Sequence, residues 1–297
     1  MEFTFGHLSE KFTESFANYY EVLWWMIKTP SWNNFLYWLI FWIVFCTALE
    51  KVLPNRTPNH KALNRRFFWQ DLFYVVFNNI IVYGFGMFSL TIAIEYLQHW
   101  GLHSIGIKNL PLFDVKAWHL AAQFAVVFVL QDFIEFLVHY LMHRLPFLWR
   151  FHKIHHAQEE LGATSAQHFH VAEKVIFHAF LFIPFGIIGY NALQYAIFQY
   201  SIQLFSSFFT HTNIKINFGY FNYFINNPET HFWHHAQNFP KKYKYGVNYA
   251  SVLNIWDVLF KTYYAPKTGE PQLGIKDKKK VPNSFIGQFL QPFRSQK

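Results

Sequence analysis

Three stretches of this chain run too long without charge for water to cover them. Phe35 to Leu49 carries no charge and continues to Leu53 with Glu50 and Lys51 at its end. Leu72 to Ile94 has no charged residue, and Ala117 to Val138 has only Asp132 and Glu135. A helix that crosses a bilayer needs about 17–25 residues, and each run reaches that length with its flanks. Backbone inside lipid must satisfy its own hydrogen bonds, which makes such runs helical. A fourth apolar stretch, Val175 to Phe209, is interrupted by Pro184, Gly186, Gly189 and Asn191. It is short for two crossings and reads as a helical hairpin that enters and leaves on one side. Charged residues make up 14% of the chain and aromatics 22%, against about 25% charge in soluble domains. An ordinary soluble enzyme and a disordered chain are therefore excluded.

Loop charge sets the orientation. The loop after the first run holds Lys51, Arg56, Lys61, Arg65 and Arg66, whereas the loop after the second holds Lys108 and Lys116. The first loop is then cytoplasmic, and the third run delivers His139 to the same side. The net charge of +8 follows that distribution and points to a membrane surface rather than to nucleic acid. Leu8, Phe12, Phe16, Tyr19 and Leu23 share a helical stripe, so residues 5–26 read as a surface helix or as core packing. No secretory leader is visible, since Glu2, Glu10 and Glu14 occupy the start. Residues 266–297, with Lys278, Lys279 and Lys280, read as a mobile or surface-lying tail. The one cysteine, Cys46, excludes a disulfide framework, a thiolate zinc site and a cysteine-held iron–sulfur cluster within one chain.

Twelve of the 17 histidines lie between His139 and His235, in three boxes. His139-Tyr-Leu-Met-His143 puts two imidazoles on one helical face, with Asp132 and Glu135 upstream on that face as candidate acceptors for ring N–H groups. His152-Lys-Ile-His155-His156 and His231-Phe-Trp-His234-His235 repeat one spacing, in which i, i+3 and i+4 share a face. His211, in His211-Thr-Asn213, follows the hairpin, and His170 follows the second box. His168 is open to either reading. Nine candidate imidazole ligands exceed the four of one tetrahedral site, which points to two metals or to one metal with a large surrounding shell. Without thiolates, iron, zinc, copper and nickel all suit the set. No glycine-rich phosphate loop, G-x-S-x-G elbow or dinucleotide fingerprint is present.

The run D-F-I-E-F-L-V-H-Y-L-M-H-R-L-P-F-L-W-R-F-H-K-I-H-H from Asp132 to His156 resembles the signature of the fatty acid hydroxylase / sterol desaturase superfamily. H-F-W-H-H from His231, followed by G-V-N-Y-A-S-V-L-N-I-W-D-V-L-F-K-T-Y to Tyr263, is similar to the closing motif of many members, with Ala250 and Lys261 where glycine is usual. The resemblance covers about residues 120–265 and implies an integral membrane non-haem di-iron oxidase that uses dioxygen and two electrons on a lipid. It implies iron ligation by His139, His143, His152, His155, His156, His211, His231, His234 and His235. Fatty acid 2-hydroxylase-like members carry a further histidine where this chain has Ser207. His168-Phe-His170-Val171-Ala172-Glu173 stands where bacterial members read R-x-H-P-x-E, so His170 is a tenth candidate ligand with Glu173 as its orienting group. Asp132, Glu135 and Asn213 are the candidate catalytic residues.

The expected architecture is all-α: an integral membrane bundle of three spanning helices plus a helical hairpin, with a cytoplasmic histidine-rich helical cap holding a dinuclear metal site. Residues 1–118 carry the surface helix and two spans, 119–265 the catalytic domain, and 266–297 the tail. Expected partners are two iron ions, dioxygen, a lipid substrate, membrane lipids and a separate cytochrome b5-, ferredoxin- or reductase-like electron donor meeting Lys241, Lys242 and Lys244. Sterol, fatty acyl, sphingoid, ornithine-lipid, alkylglycerol and carotenoid substrates all remain open, as does hydroxylation against desaturation. A bacterial inner membrane is favoured over the endoplasmic reticulum. A metal transporter would spread its ligands through the spans, whereas these boxes cluster beyond them. A scaffold that has lost activity would not need every box histidine.

Overall fold

A computed structural model describes residues 19–31, 34–56, 62–81, 100–107, 114–189, 192–276 and 281–294, with a few isolated positions before residue 19. Among them the structure is helical and no extended strand forms; two isolated bridges, Asn55 with Ile214 and Ala236 with Leu273, are the only strand-like pairings described. Helix α1 spans Tyr19–Lys28 and α2 spans Phe35–Val52. Asn34 joins them: its side-chain oxygen caps the Leu36 N–H while its amide donates to Met26 and Thr29 carbonyls, satisfying groups both helices leave open. Most of the expected surface helix over 5–26 lies outside the described residues. So does the second apolar run beyond Ile81; its described part is α3, Phe68–Val76, continued by a wider turn over Phe77–Ile81.

Helix α4, Leu120–Arg144, stops where Pro146 removes a backbone donor and opens α5, Pro146–His156. The hairpin region forms α6, Val171–Ile187, and α7, Ala192–His211. Pro184 and Gly186 are absorbed into α6, and the break falls at Gly189, whose φ of 72° suits glycine. The two arms pack on different partners, α6 on α4 and α7 on α2. One core lies between α4 and α6, around Val127, Ile134, Val138 and Leu181. A second joins α2, α3 and α7 through Leu39, Cys46, Val75, Leu204 and Phe208, with Ala163 and Ala166 of the connecting turn. Three further short helices are α8, Pro228–His234; α9, Ile255–Leu259; and α10, Phe285–Leu290.

Helices α2 and α4 are long and apolar enough to cross a membrane. The outer flank of α2 leaves Ile40 51% and Val44 62% exposed, which a water-facing helix would not tolerate as a contiguous face.

Of the two expectations for the tail, mobile or surface-lying, the mobile one is corrected for its described part. Residues 272–274 pair with the end of the third box, through Gln237 N–H to Gln272 and Gly274 N–H to His235. Val281 packs on Ile154. Gln288 of α10 is buried, its side-chain oxygen accepting from the Tyr74 hydroxyl at 2.8 Å. Buried apolar and amide side chains in the last 30 residues secure that docking. Lys278, Lys279 and Lys280 lie outside the described residues.

Candidate metal centre

Nine imidazoles converge into two adjoining clusters. His139, His143, His152, His156 and His234 form the first, and His155, His211, His231 and His235 the second; within each, the facing ligand atoms lie within 4.8 Å of one another. The boxes distribute themselves across both. In an α-helix, neighbouring residues point about 100° apart. His152 and His156, one turn apart, therefore reach the first cluster, and His155 turns to the second. The third box does the reverse: His231 and His235 enter the second and His234 the first. Each His-His pair thus bridges the centres, and the His156 and His235 rings stack with centroids 4.4 Å apart. The expected common face of i, i+3 and i+4 is corrected in this respect.

Ring orientation is set from behind. His143, His234 and His139 direct Nδ1 at the carbonyls of Tyr245, Val247 and Tyr249, at 3.2, 2.8 and 2.8 Å. Alternate carbonyls of one short segment therefore hold three rings of one cluster. His152 Nδ1 meets the Glu173 carboxylate at 2.6 Å, and His211 Nδ1 donates to the Ser207 carbonyl at 2.7 Å. A carbonyl oxygen only accepts, so in the carbonyl-held rings Nδ1 carries the proton and Nε2 keeps its lone pair.

The segment is shaped for this. Gly246 has φ of 122°, and an added Cβ would sit 3.3 Å from His143 Nδ1 and 3.0 Å from the Tyr249 hydroxyl. Asn248, at φ 55°, donates to Thr230 and Tyr264 carbonyls. Asp257 accepts from the N–H groups of Tyr249 and Ala250. The N-Y-A and W-D parts of the closing motif thus brace the carbonyls behind the rings.

The inward nitrogens fit a cation. His139 and His156 place Nε2 3.1 Å from His152 Nε2. His211 Nε2 lies 3.2 Å from that of His155 and 3.0 Å from that of His231. His139 and His152 both direct Nδ1 at an oxygen acceptor, so their facing Nε2 lone pairs repel at such a separation unless they share an electrophile. Nitrogens about 2.0–2.1 Å from a common metal fall roughly 3.0–3.4 Å apart at ordinary coordination angles. His143 Nε2 and His234 Nε2 are buried and have no hydrogen-bond partner among the described residues. Burial pushes His152 down to about 3; burial, with His139 nearby, pushes His211 down to about 4. Burial and neighbouring imidazoles hold His155, His156, His231, His234 and His235 well below the usual histidine range. These rings are neutral at pH 7, the state a metal requires.

The other candidates have different places. His170 joins neither cluster: Nε2 donates to the Phe289 carbonyl and Nδ1 accepts from the Ala172 N–H, at 3.0 Å each, so it caps α6 and anchors the tail. Glu173 orients His152 rather than His170. Asp132 holds no imidazole among the described contacts; it accepts from Val252 N–H, Leu253 N–H and Trp256 Nε1 at 2.8–3.0 Å. Glu135 holds no ring among the described contacts either; it accepts from Gln131 and Gln203 and lines the cavity. Asn213 is fixed through its backbone, N–H to Glu50 and carbonyl from Arg56, which sets the chain just past His211. His168 belongs to a buried network with Asp71 at 2.6 Å and Gln288 at 3.1 Å. Sequence reasoning missed Arg56, whose guanidinium pairs with Glu229 in the first turn of α8 and so tethers the third box to α2. No local pattern marks it, because the partners are 173 residues apart.

A cavity of about 250 Å³ opens onto both clusters. His139 and His152 border it from the first cluster, and His155, His211 and His231 from the second. Phe177 and Leu181 of α6 and Leu204 of α7 supply apolar wall; Glu135, Gln203 and Ser251 supply a polar one.

Two all-imidazole clusters that could each hold a metal ion thus border one cavity. The fatty acid hydroxylase family profile matches residues 124–262, so this stretch is similar to that family. Ornithine lipid hydroxylase OlsE of Rhizobium tropici is 29% identical over 59% of this chain and 52% of its own length. Alkylglycerol monooxygenase of Homo sapiens is 30% identical over 58% of this chain and 35% of its own. A cholesterol 25-hydroxylase-like protein of Caenorhabditis elegans is 30% identical over 32% of each chain. The chain thus spans about half the length of the bacterial relative and about a third of the animal ones. No solved structure matches it.

Proposed function

We propose that this protein is a membrane-bound di-iron oxidase that hydroxylates a membrane lipid with dioxygen and two electrons from a separate donor. The observation that carries this reading is the pair of adjoining imidazole clusters bordering one cavity. His139, His143, His152, His156 and His234 would hold one iron, and His155, His211, His231 and His235 the other. When bound, the irons supply the redox chemistry that puts one oxygen atom into a C–H bond and the other into water; zinc has none. The chain's own part is to hold lone pairs inward, keep bulk water out and fix the alkyl chain. Phe177, Leu181 and Leu204 give that chain an apolar wall, and holding one carbon in place decides which C–H bond reacts.

The named relatives favour a lipid with a polar head, of the ornithine-lipid or alkylglycerol kind, and hydroxylation over desaturation. In this reading three spans and the α6–α7 hairpin carry a cap that faces the cytoplasm, in a bacterial inner membrane. The exposed Lys241, Lys242 and Lys244 receive an acidic donor beside Tyr245, whose carbonyl holds His143. The test is metal content per chain on detergent-purified protein, with His234→Ala and His155→Ala made separately. Two irons per chain are expected, with loss centred on the first cluster in one variant and on the second in the other. A lipid extract of expressing cells should contain a product heavier by one oxygen atom. Zinc held in preference to supplied iron, or a folded protein without metal, would refute the proposal.

A further inference from the structure

Two segments of the cap expose far more apolar surface than a water-facing cap would. Tyr220 is 87% exposed, Phe221 67%, Phe224 55% and Leu259 62%. They lie in residues 219–225 and 252–260, which are stitched into one body. Asn226 N–H donates to the Val252 carbonyl and Asn254 N–H to that of Phe224, at 2.8 and 3.0 Å. The Asn254 side chain adds a bond to the Asn222 carbonyl at 2.7 Å. The patch is therefore a braced wedge and not a loose loop tip.

The wedge is fastened to the flank of α4. Asp132 binds Val252 N–H, Leu253 N–H and the Trp256 indole, while Phe133 packs on Trp256 at 4.9 Å and Phe136 on Phe260 at 5.0 Å. The apolar part of α4 ends at Val138. At 1.5 Å per residue, Phe133 lies about 8 Å inside that end. An element attached there sits at the depth where aromatic anchors and interfacial helices bury their apolar faces, about 5–10 Å into the headgroup–acyl boundary. Exposed Lys215 and Lys261 flank the two segments in sequence, as snorkelling residues do.

We propose that the wedge of residues 219–225 and 252–260 is embedded in the lipid bilayer, so that the cap reaches into the membrane beside α4 instead of resting above it. This rests on α4 crossing the bilayer. The wedge runs directly into Asn227, which caps α8 and its histidines, and into Asn226, Ala250 and Ser251, which line the cavity. Lipid contact there sets the height of the third box and opens the cavity wall toward acyl chains.

Single-cysteine chains in a Cys46→Ala background, with Phe221→Cys, Leu259→Cys, Val129→Cys or Lys244→Cys, would each carry an environment-sensitive fluorophore. They would be reconstituted as the full chain in vesicles of phosphatidylcholine that is spin-labelled high on the acyl chain. Labels at 221 and 259 are expected to be blue-shifted, quenched by the spin-labelled lipid and shielded from aqueous iodide, as at 129 on the outer flank of α4; the label at 244 is expected to behave oppositely. Iodide access at 221 and 259 with lipid quenching at 129 overturns the wedge and leaves the span intact. Loss of lipid quenching at 129 overturns the span itself. Shielding from iodide without lipid quenching at 221 and 259 shows that a second protein chain covers the patch, which also overturns the proposal.

Discussion

Replacing Glu173 separates the two centres. Its carboxylate touches His152 Nδ1 at 2.6 Å, whereas no ring of the second cluster is held by it among the described contacts. A hydrogen bond to a charged acceptor contributes about 1.5–3 kcal/mol and a neutral one about 0.5–1.5. Burial pushes the Glu173 carboxyl up to about 8, so above that pH Glu173→Gln keeps an acceptor and loses the charge, a difference of about 1–1.5 kcal/mol, or roughly 5–10-fold in affinity of the first centre. Glu173→Ala strands a buried N–H and frees the ring to rotate, for which loss of such a partner typically costs about 10–100-fold in metal affinity. The assay is titration of metal-free protein with cobalt(II), whose ligand-field bands resolve two occupancy steps, in competition with a chelator. The expected order is wild type, Gln, Ala at one step, with the other step unmoved. Equal weakening of both steps, or an alanine variant as tight as wild type, would refute the assignment of Glu173 to His152.

Three further outcomes follow from the same geometry. Gly246→Ala forces a side chain onto a backbone at φ 122° and within 3.3 Å of His143 Nδ1; strain of about 1–3 kcal/mol should lower the melting temperature and preferentially empty the first centre, read by metal analysis. Lys261 holds φ 59°, a conformation that costs a non-glycine residue about 1–2 kcal/mol, against about 0.4–1 kcal/mol of extra chain entropy for glycine. Lys261→Gly should therefore stabilise the protein by about 0.5–1 kcal/mol, and a lower melting temperature would contradict this. Metal-free protein should weaken in acid. His152 and His211 titrate near 6.5 when unfolded but only at about 3 and about 4 when folded. Below about pH 6.5 the unfolded chain binds more protons, so each ring removes about 1.4 kcal/mol of stability per pH unit until its folded pKa is reached. Denaturant midpoints across pH 7 to 4 measure the slope, and bound metal should flatten it.

Much of the site was readable in one dimension because its ligands sit on helices. A spacing of three and four residues brings side chains together whatever the rest of the chain does, so the box histidines announce themselves. The apolar runs announce helices α2 and α4 for an equally local reason, since nothing but self-paired backbone is stable in lipid. Where reading from sequence went astray, the deciding partner was far away. His170 has a ligand's neighbourhood in sequence, yet its Nε2 N–H donates to the Phe289 carbonyl. Asp132 shares a face with His139, yet the backbone after Ser251 claims both of its oxygens. The tail lacks periodicity, yet Val281 and Gln288 are buried.

The sequence by itself determined that the chain is helical, apolar enough for a membrane and supplied with imidazoles in three boxes, because helix periodicity and hydrophobic length are local properties. Only the tertiary structure decided which imidazole serves which centre and which atoms orient the rings. It also decided that the 245–249 carbonyls, Glu173 and Arg56 stand behind the site. Those are contacts across roughly 20 to 170 residues, and their geometry exists only once the helices have packed.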